Sequence, residues 1–238
     1  MDVTVCIPVY NEEDYIFDTV SEIMARMGKI SFVDEYEILI ADGGSDDSTK
    51  DIILNKIEDE RVCLLEFESI MYKGESIEAA FEHSQHEVFV FIDGDGSVKP
   101  SFLLEMLESL RNHDIVVGFK QSVESNRSRS RKLATKTLNL ILKTVFNSEI
   151  KDHQCGFKGF QRSEVRDIFD KTESRGWFWD AEFLIRAQKE GADIKQIPVE
   201  WMPKGGSKVN LIQDTSLFLI KIIFLKTTIG INRIKQHL

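Results

Sequence analysis

Cysteine, proline and glycine are scarce: the 238 residues hold 3, 4 and 14 of them. So few glycines and prolines exclude a collagen-like or low-complexity chain, and three cysteines exclude a disulfide-stapled scaffold. Cys6, Cys63 and Cys155 lack Cys-x-x-Cys spacing and read as reduced, mostly buried thiols of a cytosolic protein. Long apolar runs are also missing. The most apolar window, Leu217–Ile231, is 15 residues long and contains Lys221 and Lys226. A spanning helix needs about 20 apolar residues. No Gly-x-Gly-x-x-Gly follows the first strand-like run, which argues against a dinucleotide-dependent oxidoreductase. No positively charged leader precedes that run, which argues against a secretory signal.

What is present is a globular composition, 42% hydrophobic and 29% charged, on a chain long enough to bury a core without staples. The 30 basic and 40 acidic residues give a formal charge of −10. Gly118–Lys151 holds eight basic and two acidic residues, and Thr215–Leu238 holds four basic and no acidic ones. Net charges of +6 and +4 there leave −20 on the rest. An acidic body with two local basic regions does not suit nucleic acid, which prefers a whole basic face. It suits a phosphate or an anionic membrane surface met at chosen places.

Apolar runs ending in turn signals alternate with helical periodicity. Strands are expected at Val3–Pro8, Tyr36–Ala41, Val62–Phe67, Glu87–Ile92 and Asp114–Gly118. Helices are expected at Asp14–Gly28, from the Ser45–Ser48 cap to Lys56, at Gly74–Ser84 and at Pro100–Asn112. That alternation predicts an α/β fold with a mostly parallel central sheet flanked by helices. The second half is less regular, with helices over Arg131–Phe146 and Trp179–Gly191 and a strand at Ile194–Trp201. Asp152–Phe160 reads as a glycine-containing loop or short strand. The tail, Ser216–Leu238, reads as an amphipathic helix that lies in a membrane interface, packs on the domain with solvated lysines, or does both.

Ligands of such sheets sit beyond the carboxyl ends of the strands. Three acidic or polar turns fall there: Pro8–Glu12, Asp42–Asp46 and Asp93–Ser97. In Phe89-Val-Phe-Ile-Asp93-Gly-Asp95-Gly96, an apolar strand delivers two carboxylates into one turn. Mg²⁺ or Mn²⁺ prefers such hard oxygen donors and often uses few of them, filling its shell with diphosphate oxygens.

Pro8-Val-Tyr10-Asn-Glu12, Asp42-Gly-Gly-Ser-Asp46 and Asp93-Gly-Asp95, in that order, resemble the family 2 glycosyltransferases. The resemblance spans residues 1 to about 210. It implies the nucleotide-sugar-binding GT-A fold over 1–211, which leaves 212–238 as the C-terminal amphipathic helix suited to a membrane interface. Pro8, Tyr10, Glu12 and Asp42 would hold the base and ribose of the donor, and Asp93 and Asp95 the metal on its diphosphate. Asp152-His-Gln-Cys-Gly-Phe-Lys158 and Trp177-Phe-Trp-Asp180-Ala-Glu182 look like the polyprenyl-phosphate glycosyltransferases, closest to the dolichyl-phosphate glucosyltransferase branch. Lys73-Gly74 and Lys204-Gly-Gly-Ser-Lys208 resemble the same group. The related mannosyltransferases often carry Gln two residues past the second metal aspartate, where this chain has Ser97.

The resemblance implies metal-dependent, inverting transfer of a hexose, glucose favoured, from UDP-glucose or GDP-mannose to a polyprenyl phosphate. A phosphate acceptor is already anionic and needs no strong base, but two anionic reactants need cations. Lys120, Arg127, Arg129, Arg131 and Lys132 are available, with Lys120 and Arg131 foremost for the acceptor phosphate. Lys204 and Lys208 fit the leaving diphosphate, and Lys73 joins the donor-binding candidates through the same resemblance. Asp95 and Asp180 complete the catalytic candidates, Asp180 as an orienting group, or as a base if the acceptor is a sugar hydroxyl. Such an enzyme would be peripheral on the cytoplasmic membrane face. A mannosyltransferase, a family 2 enzyme acting on a sugar hydroxyl and a non-catalytic nucleotide-sugar sensor are the alternatives.

Overall fold

The computed structural model describes residues 1–67, 69–121, 129–202 and 211–236, without the side chains of 129–134, 211–216 and 230–236. Seven strands form one sheet: β1 (Val3–Val9), β2 (Tyr36–Asp42), β3 (Val62–Glu66), β4 (Val88–Ile92), β5 (Ile115–Gln121), β6 (Phe157–Gln161) and β7 (Ile194–Glu200). Their order is β3-β2-β1-β4-β6-β5-β7. All pairings are parallel except those of β6, which runs antiparallel to β4 and β5.

The helices are α1 (Ile16–Met27), α2 (Thr49–Lys56), α3 (Lys73–His83), α4 (Leu103–Leu110), α5 (Arg129–Phe146), α6 (Arg162–Lys171), α7 (Trp179–Glu190) and α8 (Leu211–Gln236). The segment expected as one helix from Pro100 begins instead as a 3₁₀ turn, Pro100–Phe102, before α4. Helix α6 carries no expectation above. Its apolar residues Val165, Ile168 and Phe169 are too few among charges to announce a buried face.

The central strands β1, β2 and β4 are buried on both faces, which explains their near-continuous apolar runs, whereas the edge strands β3 and β7 are only partly buried. Alternation sorts them into two cores. On β4, Val88, Val90 and Ile92 face the layer of α1 and α4, and Phe89 and Phe91 face that of α3, α6 and α7. The second layer is aromatic: Phe81 stacks on Phe169 at 3.8 Å, and Trp179 on Phe183 at 5.2 Å. A third cluster joins α5, α7 and α8 through Leu142, Phe146, Phe178, Ile185, Phe218, Ile222 and Leu225.

His153 belongs to the packing. It is fully buried, with Nδ1 2.9 Å from Asn139 Oδ1 on α5 and Nε2 2.9 Å from Ser148 Oγ. A histidine at this place in the sequence reads equally as a surface residue or a ligand; burial excludes the first, and both ring nitrogens are engaged within the protein. Burial, reinforced by Lys158, lowers it from 6.5 to about 4. The folded state therefore takes up its proton at lower pH than the unfolded state. His153 contributes stability that is full above about pH 6.5 and is lost as pH falls toward 4, up to about 3 kcal/mol. Urea unfolding at pH 7.5 and 5 should show this loss in the parent and a smaller one in His153→Gln. Equal losses would remove His153 as its source.

Candidate active site

The carboxyl ends of β1, β2, β4, β5 and β7 share one edge with the amino end of the reversed β6. Every motif singled out above and lying within the described residues opens onto this edge or stands beside it. The turns after β1 and β2 are tied together. Asn11 Nδ2 donates to Asp46 Oδ1 at 2.6 Å, Asp46 N to Asn11 Oδ1 at 2.9 Å, and Glu12 N to Thr49 Oγ1 at 2.7 Å. Asn11 takes φ 55, a left-handed turn that Asn tolerates. Pro8 pairs with Ala41 across the strands, and Tyr10 is exposed. Buried Asp42 accepts Ser45 N at 3.0 Å and Ser45 Oγ at 2.6 Å through Oδ1. Pro8, Tyr10, Glu12 and Asp42 thus stand on one braced wall.

The Asp93–Ser97 turn is braced from the other side. Asp93 N donates to Gly156 O at 2.9 Å, and Met202 N donates to Ser97 O at 2.8 Å. Asp95 Oδ1 accepts Ser97 N at 2.8 Å, and Val98 bridges to Trp201. Ser97 is buried and built into the turn through its backbone. Gly156 makes room for Asp93, because a Cβ there would fall 1.7 Å from Asp93 Oδ2.

Four side chains form a line of alternating charge. Lys73 Nζ lies 2.8 Å from Asp93 Oδ1 and 3.6 Å from Asp180 Oδ2. Lys158 Nζ lies 2.5 Å from Asp180 Oδ1. Lys73 opens α3, and Gly74 lets that helix approach α7: a Cβ there would sit 2.7 Å from Trp179 Cβ. Asp180 follows Trp179 on α7. Burial alone would raise the Asp180 carboxyl, but Lys158 and then Lys73 outweigh it and hold it below its ordinary value. Burial would lower Lys73, but Asp180 and Asp93 outweigh it and hold the ammonium charged. Burial pushes Asp93 up, Lys73 pulls it down, and Asp95 helps the net shift upward.

Lys120, near the end of β5, lies 3.8 Å from Asp152 Oδ2 and over the Trp201 ring at 4.9 Å. Asp152 Oδ1 also accepts Gln154 N at 3.1 Å. Trp177 lies under Lys73 at 5.8 Å, whereas Trp179 is core and donates to Glu78 at 2.8 Å. Glu182 is structural, accepting the backbone N–H groups of Glu173 and Ser174 and bonding Arg186. The Arg131 side chain, those of Arg129 and Lys132, and the whole of Arg127, Lys204 and Lys208 lie outside the described residues. The structure thus brings Lys73, Asp93, Asp95 and Asp180 together, with Lys120 beside Asp152. Individual roles for Lys158 and Gly156 were missed. A lysine inside the apolar Phe157–Phe160 run, where both faces are covered, was the signal available.

The donor set fits a divalent cation. Asp93 and Asp95 offer hard oxygens from one turn, and Asp93 keeps 29% of its side chain exposed. Among the described residues no group of three or more His, Cys, Asp or Glu side chains could hold a metal. The remaining positions would fall to water and diphosphate oxygens, the habit of Mg²⁺ and Mn²⁺.

The mostly parallel seven-stranded sheet, with a two-carboxylate turn at its carboxyl edge, is an α/β fold of the GT-A type. The model of "Glycosyl transferase family 2" matches residues 4–169, and the chain belongs to that family. Glycosyltransferase AglD of Haloferax volcanii is 32% identical over 219 residues, 90% of this chain and 35% of its own length. Dolichyl-phosphate beta-glucosyltransferase ALG5C of Trichomonas vaginalis is 29% identical over 222 residues, 87% of this chain and 66% of its own. The chain therefore spans about a third of the first relative and about two thirds of the second. The Saccharomyces cerevisiae dolichyl-phosphate beta-glucosyltransferase is 26% identical over 93% of this chain and 75% of its own. Glucosyl-3-phosphoglycerate synthase of Mycobacterium tuberculosis, solved with Mn²⁺, UDP-glucose and phosphoglyceric acid, superposes with TM-score 0.71. It covers 94% of this chain and 79% of its own at 18% identity, a likeness of fold.

Gly156→Ala should displace the Asp93 carboxylate. On the expectation that Asp93 and Asp95 hold the metal on a nucleoside diphosphate, calorimetric titration with UDP and Mn²⁺ should show affinity falling about tenfold or more. Unchanged affinity in the folded variant would mean that Gly156 does not support Asp93.

Proposed function

We propose that this chain transfers glucose from UDP-glucose to a polyprenyl, dolichyl-type phosphate at a membrane surface. The names of the relatives support the reaction class. One observation carries the choice of a phosphate over a hydroxyl acceptor: both Asp180 oxygens face ammonium groups, and its carboxyl is held below the ordinary range. Such a carboxylate is a poor proton acceptor. An ionised phosphate brings no proton that must be removed.

In this reading Pro8, Tyr10, Glu12 and Asp42 seat the nucleoside, and Asp93 and Asp95 face the diphosphate. A Mg²⁺ or Mn²⁺ ion on that pair would neutralise charge developing on the leaving UDP. Lys73, kept charged, adds a cation on the same side. Lys120, with Arg131, Lys204 and Lys208, supplies positive charge for the acceptor phosphate and the departing diphosphate. The phosphate oxygen attacks the anomeric carbon opposite the leaving group, so its bond forms as the sugar–diphosphate bond breaks and configuration inverts.

Residues 1–211 carry the chemistry in this proposal, and 212–238 the membrane contact. No described helix is long and apolar enough to cross a membrane. Helix α8 buries Phe218, Ile222 and Leu225 against the body but leaves Ile220, Ile223 and Phe224 at 64%, 67% and 58% exposure. Leu140 of α5 is exposed as well. Such a face suits an interfacial helix. Lys226 is tied to the body of the protein. It donates to Val145 O at 2.7 Å, near the end of α5. The free thiols of Cys6, Cys63 and Cys155 support placement on the cytoplasmic face.

Labelled glucose should pass from UDP-glucose to dolichyl phosphate, and a chelator should stop it. Asp95→Ala should lower turnover at least about 100-fold. Nearly full activity in that variant would end the metal assignment. Transfer from GDP-mannose alone would favour the mannosyl reading. In a vesicle sedimentation assay, Ile220→Ser/Ile223→Ser/Phe224→Ser should reduce association with anionic lipid at least about tenfold without moving the unfolding midpoint. Unchanged association would move the membrane contact elsewhere.

A further inference from the structure

Lys158 sits in β6 between Phe157 and Gly159, and its side chain is 0% exposed. An ammonium taken out of water is costly unless it is paired and hydrogen-bonded. The strand does not require it, because β6 pairs through its backbone. Its two partners both lie next to groups that touch Asp93. Nζ donates to Cys155 O at 2.6 Å and to Asp180 Oδ1 at 2.5 Å. Cys155 precedes Gly156, the residue against which Asp93 lies. Asp180 faces Lys73, which bonds Asp93.

Lys73 is shared unequally, at 2.8 Å from Asp93 and 3.6 Å from Asp180. Asp180 is much the more buried of the two, so its charge is the less screened and would attract an ammonium more strongly. Lys73 nevertheless leans toward Asp93. The difference is Lys158, which already satisfies Asp180. The root of Lys73 is fixed by the close contact of Gly74 with Trp179, so its head is the part free to shift.

We propose that Lys158 is a positioning residue for donor binding: by saturating Asp180 it leaves the Lys73 ammonium turned toward Asp93 and the diphosphate side of the site. This rests on the nucleotide-sugar reading above. The same ammonium fixes the Cys155–Gly156 platform, so one buried cation bears on both supports of Asp93, Lys73 and Gly156.

Crystal structures of Lys158→Met and of Lys158→Met/Asp180→Asn, with calorimetric titration of each by UDP and Mn²⁺, test it. In Lys158→Met, Lys73 Nζ should lie nearer Asp180 than Asp93, and the dissociation constant should rise about tenfold or more. Removing the unpaired carboxylate in the double variant should return Lys73 to Asp93 and recover most of the loss. If Lys158→Met does not fold, Lys158→Gln, which removes the charge but keeps a donor, is read in the same way. Lys73 remaining on Asp93 in the single variant, or a double variant no better than the single, would overturn the proposal. A purely structural role would lower the unfolding midpoint and leave Lys73 and the affinity of the folded protein unchanged. If the parent binds no UDP with Mn²⁺, the functional reading fails, and the position of Lys73 in the variants still decides the role of Lys158.

Discussion

A line of alternating charge, Asp93–Lys73–Asp180–Lys158, joins four separate pieces of chain below the carboxyl edge of the sheet. Its members come from the turn after β4, the start of α3, the start of α7 and the middle of β6. Buried ions are tolerated when each has a close partner, and here each inner member has two. The constraint is mutual. Moving α3, α7 or β6 by an ångström would leave a charge unpaired. The site is therefore fixed by the same contacts that fix the second core layer, and Trp179 and Gly74 hold the two helix starts together.

The reversed strand makes this possible. After β5 the chain runs through α5 and returns to the edge it left, so β6 starts there and runs back between β4 and β5. Its amino end places Asp152–Gly156 beside Asp93, and its interior places Lys158 under Asp180. A parallel β6 would bring its carboxyl end to that edge and take the Asp152–Gly156 loop to the opposite one.

Helix α8 has a double character. Phe218, Ile222 and Leu225 complete a cluster with α5 and α7, while Ile220, Ile223 and Phe224 face outward. Packing on the domain and contact with a membrane are thus compatible, because they use different faces of one helix. Lys226 closes a carbonyl of α5 and lies over Phe146. Its charge serves the junction between the two helices.

Much was legible in the sequence because it depends on local order. The alternation of apolar runs with helical periodicity announced β1 to β5 and their helices, and the carboxyl-edge rule drew attention to Pro8–Glu12, Asp42–Asp46 and Asp93–Ser97. Motif order indicated the family, since turns of fixed composition must follow particular strands. Helix α6 stayed hidden because three buried residues among charges give little period. His153 was ambiguous because a histidine's role depends on what surrounds it, here Asn139 and Ser148. Asp180 was named without a firm role for the same reason. A carboxylate is a base or a counterion according to its partners, and those partners, Lys73 and Lys158, lie 107 and 22 residues away in the chain. The sequence by itself determined the order of elements, the turns and the residue types at the edge. Only the tertiary structure decided which charges neutralise one another, because that depends on distance and burial across elements remote in sequence.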